Sequence, residues 1–191
     1  IAAMEDIVEE RDVEMIPILE DFKDYCMQEK LIPDGYKWMR ALTAGKTFKD
    51  NMELNLYYDE TAHNYSAHGY IGLYKEKSIR AIGKLKKTVL AKEVNGEMQF
   101  ESESGGTVTE AEKSAILEAV RRAEEYGYNL RTVRHRYFFV EQFYPTDFKK
   151  SSKNPIQKSK LFNLAEMFGY KTMPDTKKIA SDLDGRTWEE F

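Results

Sequence analysis

Residues 69–103 read GYIGLYKEKSIRAIGKLKKTVLAKEVNGEMQFESE, and this stretch decides the fold. Tyr70-Ile71-Gly72-Leu73-Tyr74 is an aromatic and aliphatic run, and Lys75-Glu76-Lys77-Ser78 is a polar turn after it. Ile79 to Leu85 returns as a second strand, with Gly83 marking a bulge or bend. Val89–Val94 and Glu97–Glu101 flank Asn95-Gly96. Both turn residues tolerate the positive φ of a two-residue type I′ turn, so a hairpin is predicted there. In its last strand Met98 and Phe100 alternate with Glu97, Gln99 and Glu101, one face dry and one wet. The whole reads as an antiparallel meander with helices on either side.

Working outward, Thr109-Glu110-Ala111-Glu112 is a capping box, and Ile116, Leu117, Val120 and Ala123 give the helix after it an apolar stripe. Arg131 to Tyr144 is a second β-rich stretch, which Pro145 should end. In it Tyr137-Phe138-Phe139-Val140 is apolar at every position, as a strand covered on both faces requires. Leu161, Leu164, Ala165 and Phe168 suggest a helix closed by Gly169, and Pro174-Asp175 opens a last one carrying Ile179 and Leu183. Before the meander, Tyr36 to Leu42 is the first strand, Leu54 to Tyr58 another, and Asp59 to Ala67 an irregular loop. Residues 3–14 and the helix opened by Pro17, with Leu19, Phe22, Cys26 and Leu31 inward, form an acidic helical arm. Residues 1–30 are therefore assigned to that arm, and 31–191 to an α+β domain, the two forming one compact unit. The fold class is a bent antiparallel sheet or small β-barrel flanked by helices.

At 191 residues the chain can bury a core without disulfide or metal staples. Its single cysteine, Cys26, forms no internal disulfide, which points to a reducing, cytoplasmic compartment. The sequence has no apolar run of membrane-spanning length and no signal-peptide pattern. Because it starts with Ile1 rather than Met, further residues are expected before it. Net charge is −4, unevenly spread: residues 1–30 hold ten acidic and three basic side chains, a balance of −7, which leaves +3 on the rest. An acidic arm on a mildly basic body suggests a partner of opposite charge.

Catalytic signatures are lacking. His63 and His68 are five apart, a spacing that suits neither helical nor strand presentation of a metal. Gly105-Gly106 precedes a helix without the Lys-Ser/Thr of a phosphate loop, and no nucleophile elbow occurs. No catalytic residue, metal or cofactor is assigned, and a hydrolase or nuclease without a motif is the least favoured class.

The most suggestive cluster is Phe148 to Lys160, in which Lys149, Lys150, Lys153, Lys158 and Lys160 stand among Ser and Asn with no acid. Lysines neutralise phosphates, and Ser and Asn groups position a backbone. Arg131, Arg134 and Arg136, with Arg80, Lys84 and Lys86 on the meander, extend the patch if the two β stretches are neighbours. Tyr144 and Phe148 are candidate stacking surfaces for an unpaired base.

The segment Tyr70-Ile71-Gly72-Leu73-Tyr74 … Ile79-Arg80-Ala81-Ile82-Gly83-Lys84 resembles the central hairpin of PUA-like barrels, the group that includes ASCH and EVE domains. The resemblance covers about residues 36–148. It implies a compact β-barrel with flanking helices, binding RNA or modified DNA. The G-x-K-x-x-E-x-R signature of ASCH domains is missing, so no site residue carries over. The expected function is thus a non-catalytic nucleic-acid-binding module, with a protein-interaction domain docking through its acidic arm as the alternative.

Overall fold

The computed structural model describes residues 18, 34–63, 66–156 and 159–191. The acidic arm (Ile18 apart) lies outside the described residues with its inward set Leu19, Phe22 and Cys26, and so do Leu31 and Lys158. Seven strands form one mixed sheet: β1 Trp38–Thr43, β2 Leu56–Glu60, β3 Tyr70–Lys75, β4 Ser78–Val94, β5 Glu97–Ser104, β6 His135–Lys149 and β7 Ser159–Asn163. Among the described residues from 34 on, four helices accompany it: α1 Phe48–Leu54, α2 Glu110–Glu125, α3 Leu164–Phe168 and α4 Thr176–Leu183.

Strand β4 organises the sheet. At 17 residues it is roughly 55 Å long. It carries β6 along one side, while on the other β3 pairs with its first half and β5 with its second. The meander expected from residues 69–103 is therefore present, but its two middle segments are one continuous strand. Its two hairpins turn on residues with positive φ: Asn95 (53°) and Gly96 (84°) as predicted, and Glu76 (53°) and Lys77 (59°) without any glycine. Gly83 lies beside a register shift, and a Cβ there would come within 2.8 Å of the Val140 side chain. Only hydrogen fits between β4 and β6 at this bend.

Two expectations are corrected. The sheet is open, running β2-β6-β4-β3-β1-β7 with β5 beside β4, so it is not a barrel. Nor is it wholly antiparallel, because β1 and β3 pair in parallel. The 26 residues between them, which hold α1 and β2, are long enough to return the chain to the same end of the sheet. Pro145 does not end β6 either. It sits opposite Ala81 where the β4–β6 register shifts, a bulge at which no ladder N–H is required.

Three apolar clusters hold the layers together. Under α4, Ile179 and Leu183 meet Ile82, Phe148 and Trp188. Under α2, Ile116 and Val120 meet Val89, Tyr137 and Leu56. Phe48 and Met52 of α1 close a third cluster around Leu73, Phe138 and Val140. Consecutive β6 residues thus feed different clusters, as the all-apolar run Tyr137–Val140 predicted. Leu117, expected in the core, is 44% exposed. The buried stripe of α2 is Ile116, Ala119, Val120 and Ala123, and Leu117 lies a 100° step away from it. The capping box forms as read: Thr109 Oγ1 accepts from the Glu112 amide at 3.3 Å, and Glu112 accepts from the Thr109 amide at 2.8 Å. Glu112 also takes the ammonium of the buried Lys87 at 2.7 Å, tying α2 to β4. Burial alone would raise this carboxyl, but the Lys87 and Thr109 bonds outweigh that and hold it below its ordinary value.

Candidate functional site

The expected basic residues fall into two groups at opposite ends of β6. His135 and Lys149 are the limits of a 15-residue strand, about 45 Å apart. At the first end stand Arg131, Arg134 and Arg136. All three are engaged: Arg131 with Glu93 (2.9 Å) and Glu124 (2.8 Å), Arg134 with Glu101, and Arg136 with Glu103 (2.7 Å). The last two pairs reach across β4, since Leu90 lies between Glu101 on β5 and Arg136 on β6. Lys84, midway, pairs with Glu141 at 3.1 Å. The two β stretches are neighbours, as the extended patch requires, but its arginines are paired with acidic residues of the sheet and of α2.

The second end is different. Asp147 accepts from Ser78 Oγ (2.7 Å) and Arg80 (2.8 Å), and Lys149 approaches it at 3.2 Å. Burial would raise this carboxyl, yet these donors bring it below its ordinary range. One carboxylate thus serves two cations. Lys150, Lys153 and Lys160 have no carboxylate partner among the described residues. Lys150 and Lys160 hold their ammonium groups 6.0 and 5.2 Å from the centre of the Trp188 ring. The Lys150 amide donates to the Lys77 carbonyl at 2.8 Å, which brings the β3–β4 turn and its exposed Lys77 alongside. The expected stacking aromatics do not serve: Phe148 is fully buried in the α4 cluster, and Tyr144 is half-buried against it.

A separate feature escaped the sequence reading. A cleft of about 550 Å³ opens along β2, between the loop after β1 and the loop after α2. Asp59, Glu60, His63, Tyr58, Tyr128 and Lys46 are among its lining. Asp59 contacts His63 Nδ1 at 2.7 Å, accepts from the Glu60 amide at 3.0 Å, and pairs at 3.5 Å with Arg40, which is only 5% exposed. A carboxylate anchored by a buried guanidinium therefore orients an imidazole at the cleft mouth. With Nδ1 engaged by the carboxylate, Nε2 is the ring's other hydrogen-bonding atom. The signal in the sequence is the Asp59–His63 spacing of four, which the His63–His68 spacing of five does not reveal. Among the described residues no group of three or more His, Cys, Asp or Glu side chains is placed to hold a metal ion.

His68 lies deeper, 6% exposed, with its ring 5.5 Å from that of Phe138 and Nδ1 2.9 Å from the Ser66 carbonyl. Burial pulls its pKa from 6.5 down to about 4. Between those values the unfolded chain binds a proton that the folded chain does not. Stability is therefore complete above about pH 6.5 and falls as pH drops towards 4, by on the order of 2–3 kcal/mol. Urea unfolding at pH 7 and pH 5 should show a larger loss for the parent than for His68→Asn, and equal losses would remove His68 as the cause.

No helix among the described residues is long and apolar enough to cross a membrane. No family model matches this chain, and neither a curated protein nor a solved structure does so.

Proposed function

We propose that this chain is a cytoplasmic nucleic-acid-binding module that grips phosphates with the lysine-rich end of its sheet: Lys149, Lys150, Lys153 and Lys160, with Lys77 beside them. The observation that carries this reading is the contrast between the two ends of β6. The arginines are matched by glutamates, whereas Lys150, Lys153 and Lys160 form no ion pair with a carboxylate among the described residues. Phosphate contacts of this kind position a strand without reading its sequence. The likeness of the β3–β4 hairpin to PUA-like domains supports the same ligand class, RNA or DNA with modified bases. The interaction-domain alternative depends on the acidic arm, which lies outside the described residues.

The test is a triple variant, Lys149→Ala with Lys150→Ala and Lys153→Ala. Each phosphate contact releases counterions, so losing three should make the slope of log affinity against log salt shallower by roughly 2–3 units. Unfolding free energy should change by no more than about 0.5 kcal/mol at each of the exposed Lys149 and Lys153. An unchanged slope would place the phosphate contacts elsewhere.

A further inference from the structure

Beside these lysines, Glu189 makes a contact that the phosphate reading leaves unexplained. Its Oε2 accepts from the Ser151 amide at 3.1 Å and its Oε1 from the Ser152 amide at 3.0 Å. The two donors are consecutive backbone N–H groups, each engaging one oxygen of the same planar anion. The Ser151 hydroxyl joins them, and together these bonds pull the Glu189 carboxyl down to about 2. Consecutive amides pointing at one anion form the concave nest by which backbones hold phosphates. Lys150 bonds the Ser152 hydroxyl, so an ammonium is already in place beside that nest.

We propose that the Ser151–Ser152 turn is a phosphate-binding site, and that Glu189 occupies it as an internal stand-in for the ligand. Two oxygens of a phosphate mono- or diester match the two that the carboxylate presents. The ligand brings charge to Lys149, Lys150 and Lys153, whereas Glu189 pairs with none of them. The side chain that blocks the site is exposed and comes from Trp188–Glu190, a single turn of 3-10 helix. It can swing out without disturbing the core, since Trp188 stays anchored by its own bond to the Phe148 carbonyl at 3.0 Å. This inference rests on the lysine end being the phosphate-binding surface. It adds that the affinity measured for the intact chain is already reduced by a competitor built into it.

The experiment follows the Ser151 and Ser152 amide resonances of the full chain, as parent, Glu189→Ala and Glu189→Gln, during titration with inorganic phosphate and then with a mixed-sequence single-stranded oligonucleotide. Both resonances should move saturably with phosphate in Glu189→Ala, at concentrations about tenfold below those the parent needs, since a charge-assisted competitor has been removed. Glu189→Gln, which keeps an acceptor oxygen but no charge, should fall between and serves where the alanine variant loosens the turn. If parent and both variants respond alike, or their amides never respond, Glu189 is only a structural tie and the inference falls. Phosphate binding at the amides without oligonucleotide binding would keep the site and remove the nucleic-acid reading. Oligonucleotide binding of equal strength in all three, with still amides, would keep that reading and remove the site.

Discussion

Phe138→Ala is expected to lower the unfolding free energy by about 3–5 kcal/mol. The ring has no exposed surface and lies on β6 opposite Tyr57 of β2 and Thr88 of β4, so the backbone is flanked on both sides. It is surrounded by Leu42 of β1, Ile71 and Leu73 of β3, and Val140 and Phe143 of its own strand. These neighbours sit on paired strands, which limits how far they can close over the void, and an uncollapsed cavity adds to the transfer cost. Leu117→Ala on the outer face of α2 is the control and should change stability by no more than about 0.5 kcal/mol. Denaturant unfolding of both variants checks this; a loss under about 1 kcal/mol at Phe138 would mean that the third cluster is not packed as described.

Glu112→Ala should be comparably damaging, at about 3–5 kcal/mol, for an electrostatic reason. Lys87 is 3% exposed, and its ammonium is held by Glu112 and by the Thr107 carbonyl. Removing the carboxylate leaves a buried cation with one neutral acceptor. It also takes away half of the capping box, worth about 1 kcal/mol of the total. A second change, Lys87→Met, should restore part of the loss, because the stranded charge rather than the missing bond dominates the cost. If the double variant were no more stable than Glu112→Ala, the stranded charge would not be the cause.

What could be read in advance divides by range along the chain. The Asn95–Gly96 hairpin, the Thr109 capping box and the doubly covered run Tyr137–Val140 are local signals, and each is present. Helix α1 was missed because its seven residues hold only Phe48, Met52 and Leu54 as apolar positions, too few to show a period. The parallel pairing of β1 with β3 joins segments about 30 residues apart, and nothing in either strand's own pattern specifies it. The same limit explains the site. The lysine run from 149 to 160 is contiguous and therefore legible. The neutralisation of Arg134 and Arg136 comes from Glu101 and Glu103 across an intervening strand, which only the sheet's register reveals. Arg40, Asp59 and His63 likewise meet only after β1 and β2 are placed.

A salt titration of binding tests the central claim most directly. The intact chain is mixed with short DNA and RNA, duplex and single-stranded, and affinity is followed from about 50 mM salt upward. With Lys149, Lys150, Lys153 and Lys160 each contacting a phosphate, log affinity should fall linearly with log salt at a slope of about −3 to −4, with little preference among sequences. No binding at about 50 mM salt to any of these probes, or binding whose affinity ignores salt, would contradict the assignment of this lysine-rich end to nucleic acid.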